Sequence, residues 1–577
     1  MAKGPFIAIL ALAFPTAASA QTDWPLHGHD LGGQRYSPLT SIDTTNVARL
    51  APAWSYHSGV TATFQTTPIV VGDQMYLSLP FSSVVALDAR TGRERWRYIH
   101  TPRTTRLCCG PANRGVAVAG GKVYVGTVDG RLIALDARSG TVMWDVTVAR
   151  YAGTTEATAQ LTADDPMSQV GANGSTGVGI GAAPLVHDGK VFVGIAGVGY
   201  GLHPDKGLSV VGVSGQYGRP GLMAAFDIRT GKELWHFDVT GPGWEGEFRS
   251  TTPDGVSLNR EVEGERAAAA AHDSAWRFGG GSIYATPVID ASRHLLIFGT
   301  GNPSPQMADA SRPGDNLYTS SLVALDDRTG KMVWYYQQIP HDRWGYDVAS
   351  SPVLLDLTID GKSVPAVAQA SKTGWVFVHD RVTGALLFKS EAFVPQRNLF
   401  TPPQPGEGVV IAPGIAGGAN WSPSAYDPSR QLFFVDALNL PTRYVAHQAQ
   451  RPDGSVLQYA STQNTGKGSG TLTALDLGNK GVIRWQLKTD EPLVGGVLAT
   501  AGGLVFTGIG EGVFAALNGG TGSQLWSWHG EAGVNAPPIS YSINGKQYVA
   551  VAVGGNALFG FKQGDLVIAF ALPDSGH

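Results

Sequence analysis

The chain has 577 residues, of which 76 are Gly and 35 are Pro, together roughly one residue in five and well above ordinary usage. Only 15% are charged and 43% are hydrophobic, which excludes a disordered solvating chain and also a helical bundle or coiled coil. The net charge of −4, with no basic run, excludes nucleic acid as a partner. What remains is an all-β protein of many short strands joined by Gly-rich turns.

The first twenty residues read as a secretory signal. Lys3 supplies the positive start, Phe6 to Phe14 the apolar segment, and Ala18-Ser19-Ala20 the small-residue cleavage pattern before Gln21. The apolar segment is too short to span a bilayer. No Cys follows the signal directly, so there is no lipid attachment point. The expected mature protein is soluble and exported to the periplasm.

The two cysteines are neighbours, Cys108 and Cys109. An exported chain meets an oxidising compartment, where such a pair is expected to form a disulfide. A bridge between adjacent residues is strained and closes almost no loop, so it contributes little as a stabilising staple. A rigid platform for a flat ligand is the better reading. The chain lacks Cys-x-x-Cys-His, which excludes c-type haem, and two cysteines exclude a thiolate metal cluster.

One phrase recurs: Ala-Leu-Asp, a short turn, Gly, and about three residues on a Trp. It runs from Ala86 to Trp96, Ala134 to Trp144, Ala225 to Trp235 and Ala324 to Trp334, with weaker copies ending at Phe388, Trp485 and Trp526. Each copy predicts strand, tight turn, strand, with Asp and Gly supplying the turn. A further hairpin precedes most copies, so each repeat predicts a four-stranded sheet, the unit of a propeller blade. Trp54 is an eighth aromatic end without preceding strands. The C-terminal VAVAVGGN and LVIAFAL segments can supply them, so that both ends of the chain share the last blade. The expectation is a single eight-bladed β-propeller over residues 21–577. Longer gaps between repeats place insertions near 150–180, 200–220, 240–275 and 390–470, as loops on one face.

The Trp-ended repeat, Cys108-Cys109 followed by GPANRGVAV, GTGNPSP (Gly299 to Pro305) and PHDRWGYD (Pro340 to Asp347) resemble the pyrroloquinoline-quinone (PQQ) dependent alcohol dehydrogenases. The opening DWPLHGHDLGGQRYSPLTSI and the closing NGKQYVAVAVGG are similar to that family too, so the likeness covers essentially the whole mature chain. It implies a PQQ cofactor in a central funnel, stacked between the vicinal disulfide and an aromatic ring. It also implies a Ca2+ or lanthanide ion beside the cofactor and an Asp acting as base. PQQ is a planar tri-carboxylate, so flat faces and cations suit it.

By this resemblance Cys108 and Cys109 form one face, Arg114 meets a PQQ carboxylate, and Asn302 is a metal ligand. Lys372 falls near the reactive quinone oxygen and Asn420 is a cofactor-side amide. Gln65 stands where many members have Glu. Gly197 and Val198 of AGVGYG lie on a cofactor-side segment, and Tyr284 replaces the stacking Trp. Other positions depart. A metal-ligating Glu falls on Gly199, a cofactor-contacting Thr on Gly181, and the general-base Asp on Gly345. Glycine can neither ligate through a side chain nor take a proton. Asp347, two residues on, is therefore the expected base and an added metal ligand, with His341 and Asp342 as alternatives. Glu245 and Glu247 in GPGWEGEFR read as a charged surface loop.

The implied activity is oxidation of an alcohol or polyol by hydride transfer to the quinone. A small-molecule alcohol is then the substrate, and a separate acceptor, a cytochrome c or a quinone, takes the electrons. The competing reading is a non-catalytic propeller that has lost the metal and base and binds a ligand or partner protein. The joint persistence of Cys108-Cys109, Arg114, Asn302, Lys372 and Asn420 favours the enzyme.

Overall fold

The computed structural model describes residues 23–102, 110–148, 178–198, 200–202, 209–211, 219–450, 454 and 456–574. Cys108, Cys109, Gly199 and the signal segment lie outside the described residues. The fold is all-β, built from propeller-like antiparallel sheets of four strands.

In chain order, sheet I holds Ile69–Val71, Gln74–Ser78, Val84–Asp88 and Glu94–Tyr98. Sheet II holds Ala117–Ala119, Lys122–Gly126, Arg131–Asp136 and Val142–Thr147. Sheet III holds Leu185–His187, Lys190–Gly194, Leu222–Asp227 and Glu233–Asp238. Sheet IV holds Val288–Asp290, Leu295–Gly299, Ser321–Asp326 and Met332–Gln337. Sheet V holds Val353–Ile359, Lys362–Ala370, Val376–Asp380 and Leu386–Lys389. Sheet VI holds Ala425–Asp427, Leu432–Asn439, Ser469–Asp476 and Val482–Thr489. Sheet VII holds Val497–Thr500, Leu504–Ile509, Val513–Asn518 and Gln524–His529, with Tyr36–Ser37 added in parallel. Sheet VIII joins Ile539–Ile543, Lys546–Val553 and Leu566–Ala571 to Ala51–His57 from the other end of the chain. The pairing of Trp54 with Ala569 carries out the expected sharing of one sheet by both ends.

The repeat phrase explains the local geometry. In ALDARTG the Asp88 carboxylate accepts from the backbone N–H groups of Arg90 and Thr91 and from the Thr91 hydroxyl, at 3.0–3.1 Å. Asp136, Asp227, Asp326 and Asp380 close their turns the same way. This local bonding is why Asp, rather than any polar residue, recurs there.

The turn glycine has a second duty. A β-carbon on Gly330 (φ +69°) would lie 2.5 Å from the Trp235 ring, because the Trp of one sheet packs flat on the turn of the next. Trp54, Trp96, Trp235, Trp334 and Trp485 donate their indole N–H to carbonyls of Ala89, Ala137, Asp327, Arg381 and Gly519 at 2.9–3.2 Å. Each of these joins a sheet to its successor. Trp526 of sheet VII donates to Leu50 O, immediately before the Ala51–His57 strand of sheet VIII. Side chains between the sheets are buried Val, Ile, Leu, Ala and Phe, which forms the core.

Among the described residues three of the four expected insertions stand outside the four-stranded sheets, and near 200–220 Tyr200–Leu202 pairs with Ser209–Val211. Residues 240–275 carry the short helix Val262–Ala268. Residues 390–470 carry a three-stranded sheet of Val409–Ile411, Thr442–Gln450 and Val456–Asn464. Among the described residues no helix is long and apolar enough to cross a membrane.

Candidate active site

The segments that enter the sheets converge on one group of polar side chains. Thr67 N donates to Arg114 O at 3.1 Å, and Arg114 N donates to Gly181 O at 3.0 Å. The Arg114 guanidinium donates to Tyr284 O at 3.1 Å. Gly301 N donates to Ser282 O at 2.7 Å, which sets Asn302 beside the Tyr284 segment. A β-carbon on Gly301 would lie 2.8 Å from Asp347 Oδ1 and 3.1 Å from the Tyr284 ring, so glycine permits this approach.

Asp347 is the hinge of the group. It is 6% exposed. Its Oδ1 accepts Asn302 N at 2.6 Å, and its Oδ2 accepts Lys372 Nζ at 2.6 Å. The same ammonium donates to Gly345 O at 2.9 Å and Ile415 O at 3.0 Å, which uses all three of its protons. Gly418 N returns to Lys372 O at 2.7 Å, leading to Asn420 and Trp421. The Trp421 ring then lies 4.9 Å under the Arg114 guanidinium. Arg114, Tyr284, Asn302, Asp347, Lys372 and Trp421 thus form a closed circuit of contacts.

The remaining expected residues lie around it. Gln65 is buried, and its Oε1 has no hydrogen-bond partner. Gly197 N and Val198 N both point at Ser282 Oγ, 3.2 and 3.3 Å away. Asn420 is engaged locally: its Nδ2 donates to Ala416 O and its Oδ1 accepts Trp421 N, both at 2.9 Å. A β-carbon on Gly181 would lie 3.2 Å from Arg114 Nη1, so a larger residue would press on the guanidinium.

The two alternative bases play other parts. His341 is buried rather than solvated, because three loops close over it. Its Nδ1 contacts Gly314 O at 2.7 Å and its Nε2 contacts Asp309 Oδ2 at 3.3 Å, and burial lowers its pKa. The Asp342 carboxylate accepts the backbone N–H groups of Trp344, Gly345 and Tyr346 at 2.9, 3.1 and 2.7 Å. Burial raises its pKa. It therefore holds the turn that carries Gly345. Glu245 and Glu247 are exposed, and Glu247 pairs with Arg249, as a charged surface loop should.

Gly345 is more than a missing carboxylate. It sits at φ +83°, and a β-carbon there would collide with the Gln306 amide and approach Ile415 Cγ1 to 2.9 Å. Gln306 was not singled out by sequence reasoning, although it directly follows GTGNPSP. Trp421 was missed in the same way, next to Asn420 in ANWSP. In both cases adjacency to a marked residue was the available signal.

A further buried carboxylate, Asp436, accepts Gly496 N on Oδ2 at 2.6 Å, while its Oδ1 has no partner. Burial pushes its pKa up to about 7, and the nearby Arg35 charge offsets only part of this. Arg35 is itself fully buried and spends its guanidinium on the carbonyls of Val497, His27 and Pro538 at 2.6–2.9 Å.

The described residues do not make a metal site from protein donors. They contain no group of three or more His, Cys, Asp or Glu placed to hold an ion. Asn302 and Asp347 are the only expected ligands in the circuit, and the Lys372 ammonium already lies against Asp347 Oδ2. Ca2+ takes about six to eight oxygens. A planar polyanion fits better. Lys372 and Arg114 supply two cations, the Tyr284 and Trp421 rings supply flat surfaces, and the buried Gln65 Oε1 and Trp421 Nε1 lack partners.

Comparison with known proteins gives the family. The family model described as PQQ, glucose/ethanol/alcohol dehydrogenase, beta-propeller domain, matches residues 24–399, 394–477 and 467–549. A quinoprotein alcohol dehydrogenase PedH of Pseudomonas putida is 32% identical over 590 residues, spanning 95% of this chain and 90% of its own. A quinoprotein ethanol dehydrogenase of Pseudomonas aeruginosa is 31% identical over 570 residues, spanning 92% and 85%. Among solved structures, a europium-containing methanol dehydrogenase superposes with a TM-score of 0.77 at 27% identity, covering 96% of this chain and 98% of its own. The quinohemoprotein alcohol dehydrogenase from Comamonas testosteroni gives 0.75 at 30% identity, covering 97% and 83%.

Proposed function

The chain belongs to the PQQ β-propeller family of glucose, ethanol and alcohol dehydrogenases, and from that premise we propose how its own residues oxidise an alcohol. The protein is an oxidoreductase of the PQQ-dependent alcohol dehydrogenase type. Its sheets form a single eight-bladed ring over residues 21–577, exported to the periplasm after loss of residues 1–20. The chain of Trp contacts from Trp54 to Trp526, returning at Leu50, supports the ring. The signal-like start of the sequence supports export.

Arg114 would hold a carboxylate of PQQ, Lys372 would reach a quinone oxygen by giving up one of its carbonyl partners, Gln65 and Asn420 would offer amides at its edge, and Gly197 and Val198 would line the approach. Tyr284 would be one stacking face and, by the resemblance, the Cys108-Cys109 pair the other. Bound PQQ supplies a two-electron acceptor for the hydride of the alcohol carbon. Asp347 takes the hydroxyl proton of the alcohol on a carboxylate oxygen. Lys372 and the Asn302 amide hold that carboxylate ionised and fixed, so no reorganisation is needed when the proton moves. No step runs through a Ca2+ or lanthanide ion, since the described donors do not fit one. The chain has no Cys-x-x-Cys-His, so the electrons leave to a separate acceptor, a cytochrome c or a quinone.

The observation that carries the reading is the double engagement of Asp347 by Lys372 and Asn302. Reconstitution of the purified protein with PQQ, followed by dye reduction across alcohols and polyols, tests it. Turnover in the wild type and its loss in Asp347→Asn, with PQQ still bound, is the expected result. Full turnover in Asp347→Asn removes this residue as the base.

A further inference from the structure

The three-stranded sheet of residues 409–464 rests on the segment that carries Asn302. Ala460 N donates to Met307 O at 2.7 Å, and Gln404 bridges to Val445 beside it. Between this sheet and the main body lies a cleft of about 350 Å3, in the size range of small-molecule sites. One wall is Gln306, whose amide also fills the space beside Gly345. Gly345 O holds Lys372, so the cleft and the Asp347 group share a wall.

The lining has a definite chemistry. His447 and Tyr459 face each other across the two longer strands and stack, with ring centroids 4.9 Å apart and planes 25° from parallel. His447 Nε2 is held by Ser461 Oγ at 2.7 Å, which fixes the imidazole. Gln458, Asp309 and Arg343 add planar donors and acceptors, with Arg343 Nε 3.5 Å from Asp309 Oδ2. Planar amide, carboxylate and guanidinium groups pair with vicinal hydroxyls, and an aromatic face beside them suits the apolar C–H face of a ring. An aliphatic chain would gain no hydrogen bond from those groups.

We infer that this cleft is a subsite for a hydroxyl-rich ring, so that the substrate is a cyclic polyol or glycoside presenting its reacting hydroxyl past Gln306 toward Asp347. This rests on the reading of the enzyme given above and narrows its substrate class.

The test compares methyl α-glucopyranoside with cyclohexylmethanol, which keeps a six-membered ring and a primary alcohol but lacks the ring hydroxyls. With the PQQ-loaded enzyme, kcat/KM is expected to favour the glycoside by at least about tenfold. Tyr459→Ala and Gln458→Ala each lower kcat/KM for the glycoside about tenfold and leave cyclohexylmethanol within about twofold, mainly through KM. Tyr459→Phe retains most of the preference. Titration calorimetry of the same protein without PQQ gives a readout independent of turnover: saturable binding of the glycoside in the wild type, weakened in Tyr459→Ala. Equal use of the two alcohols, an equal fall for both in the variants, or no calorimetric binding overturns the subsite. If short linear alcohols are oxidised but the glycoside does not bind, the subsite fails and the enzyme reading stands. If the glycoside binds and depends on Tyr459, but no alcohol is oxidised, the subsite stands and the enzyme reading fails.

Discussion

Lys372 Nζ and Asp347 Oδ2 lie 2.6 Å apart, both almost wholly buried, at the centre of the proposed reaction site. A buried pair of this kind has an asymmetric energetic signature, because removing one partner strands the other charge. Lys372→Met should therefore destabilise the protein by about 3–5 kcal/mol. The double variant Lys372→Met/Asp347→Asn should recover most of that loss. Turnover, however, should stay about a hundredfold or more below wild type in Asp347→Asn and in the double variant. Denaturant melts alongside dye reduction separate the two roles. If the double variant is as unstable as Lys372→Met, the pair is not coupled in this way.

Gly345 occupies the place where relatives are expected to carry the base, yet it cannot simply be restored. Gly345→Asp should bring no gain in turnover and should lower stability by about 1–3 kcal/mol, because it combines positive φ with a collision at Gln306. Adding Gln306→Ala should return part of the stability by removing the collision while leaving the backbone strain. A Gly345→Asp protein as stable as wild type would contradict the packing described for this turn.

Arg114 should matter to cofactor affinity more than to stability. Arg114→Ala is expected to weaken PQQ binding about tenfold to a hundredfold, the scale of a charged hydrogen bond, and Arg114→Lys to restore only part of it. Absorbance titration with PQQ measures this directly. Unchanged affinity in Arg114→Ala would place the PQQ carboxylates elsewhere.

Asp436 supplies a pH test away from the reaction site. Its pKa is raised to about 7 in the folded protein by burial. The fold therefore favours its neutral form, and the stabilisation associated with that proton is complete below the unfolded value near 4. It is lost as pH rises through about 7 and then levels off. Over that window the loss is on the order of 4 kcal/mol. Asp436→Asn mimics the neutral form and should be more stable than wild type at pH 8, with the difference shrinking toward pH 4. Thermal melts of both proteins across that range read the difference directly, since other titrating groups cancel.

Much of the architecture was legible in the sequence because a propeller repeats its instructions. ALDARTGRERW and its copies place an Asp turn, a docking Gly and a Trp at fixed spacing, and the structure uses each for a local contact with its neighbour. Asp347 and Lys372 could be marked individually, but their pairing depends on how two sheets meet, which periodicity does not report. His341 could be marked as an alternative base but not as a buried residue, because its burial comes from Asp309, Gly314 and Glu265, which its own motif does not report. Gln306 escaped notice for a related reason: its amide matters only because Gly345 turns at positive φ and vacates the space it fills.

Sheet VIII has a consequence for how the protein is made. The strand Leu566–Ala571 is not at its edge but between Ala51–His57 and Lys546–Val553. Ala51–His57 is synthesised about 500 residues before its hydrogen-bonding partner Leu566–Ala571. It must wait through the synthesis of all that lies between them with an unpaired edge, the condition that favours slow folding and aggregation. A chain cut short before Leu566 would lack an interior strand of this sheet, so termination there should be as damaging as termination much earlier.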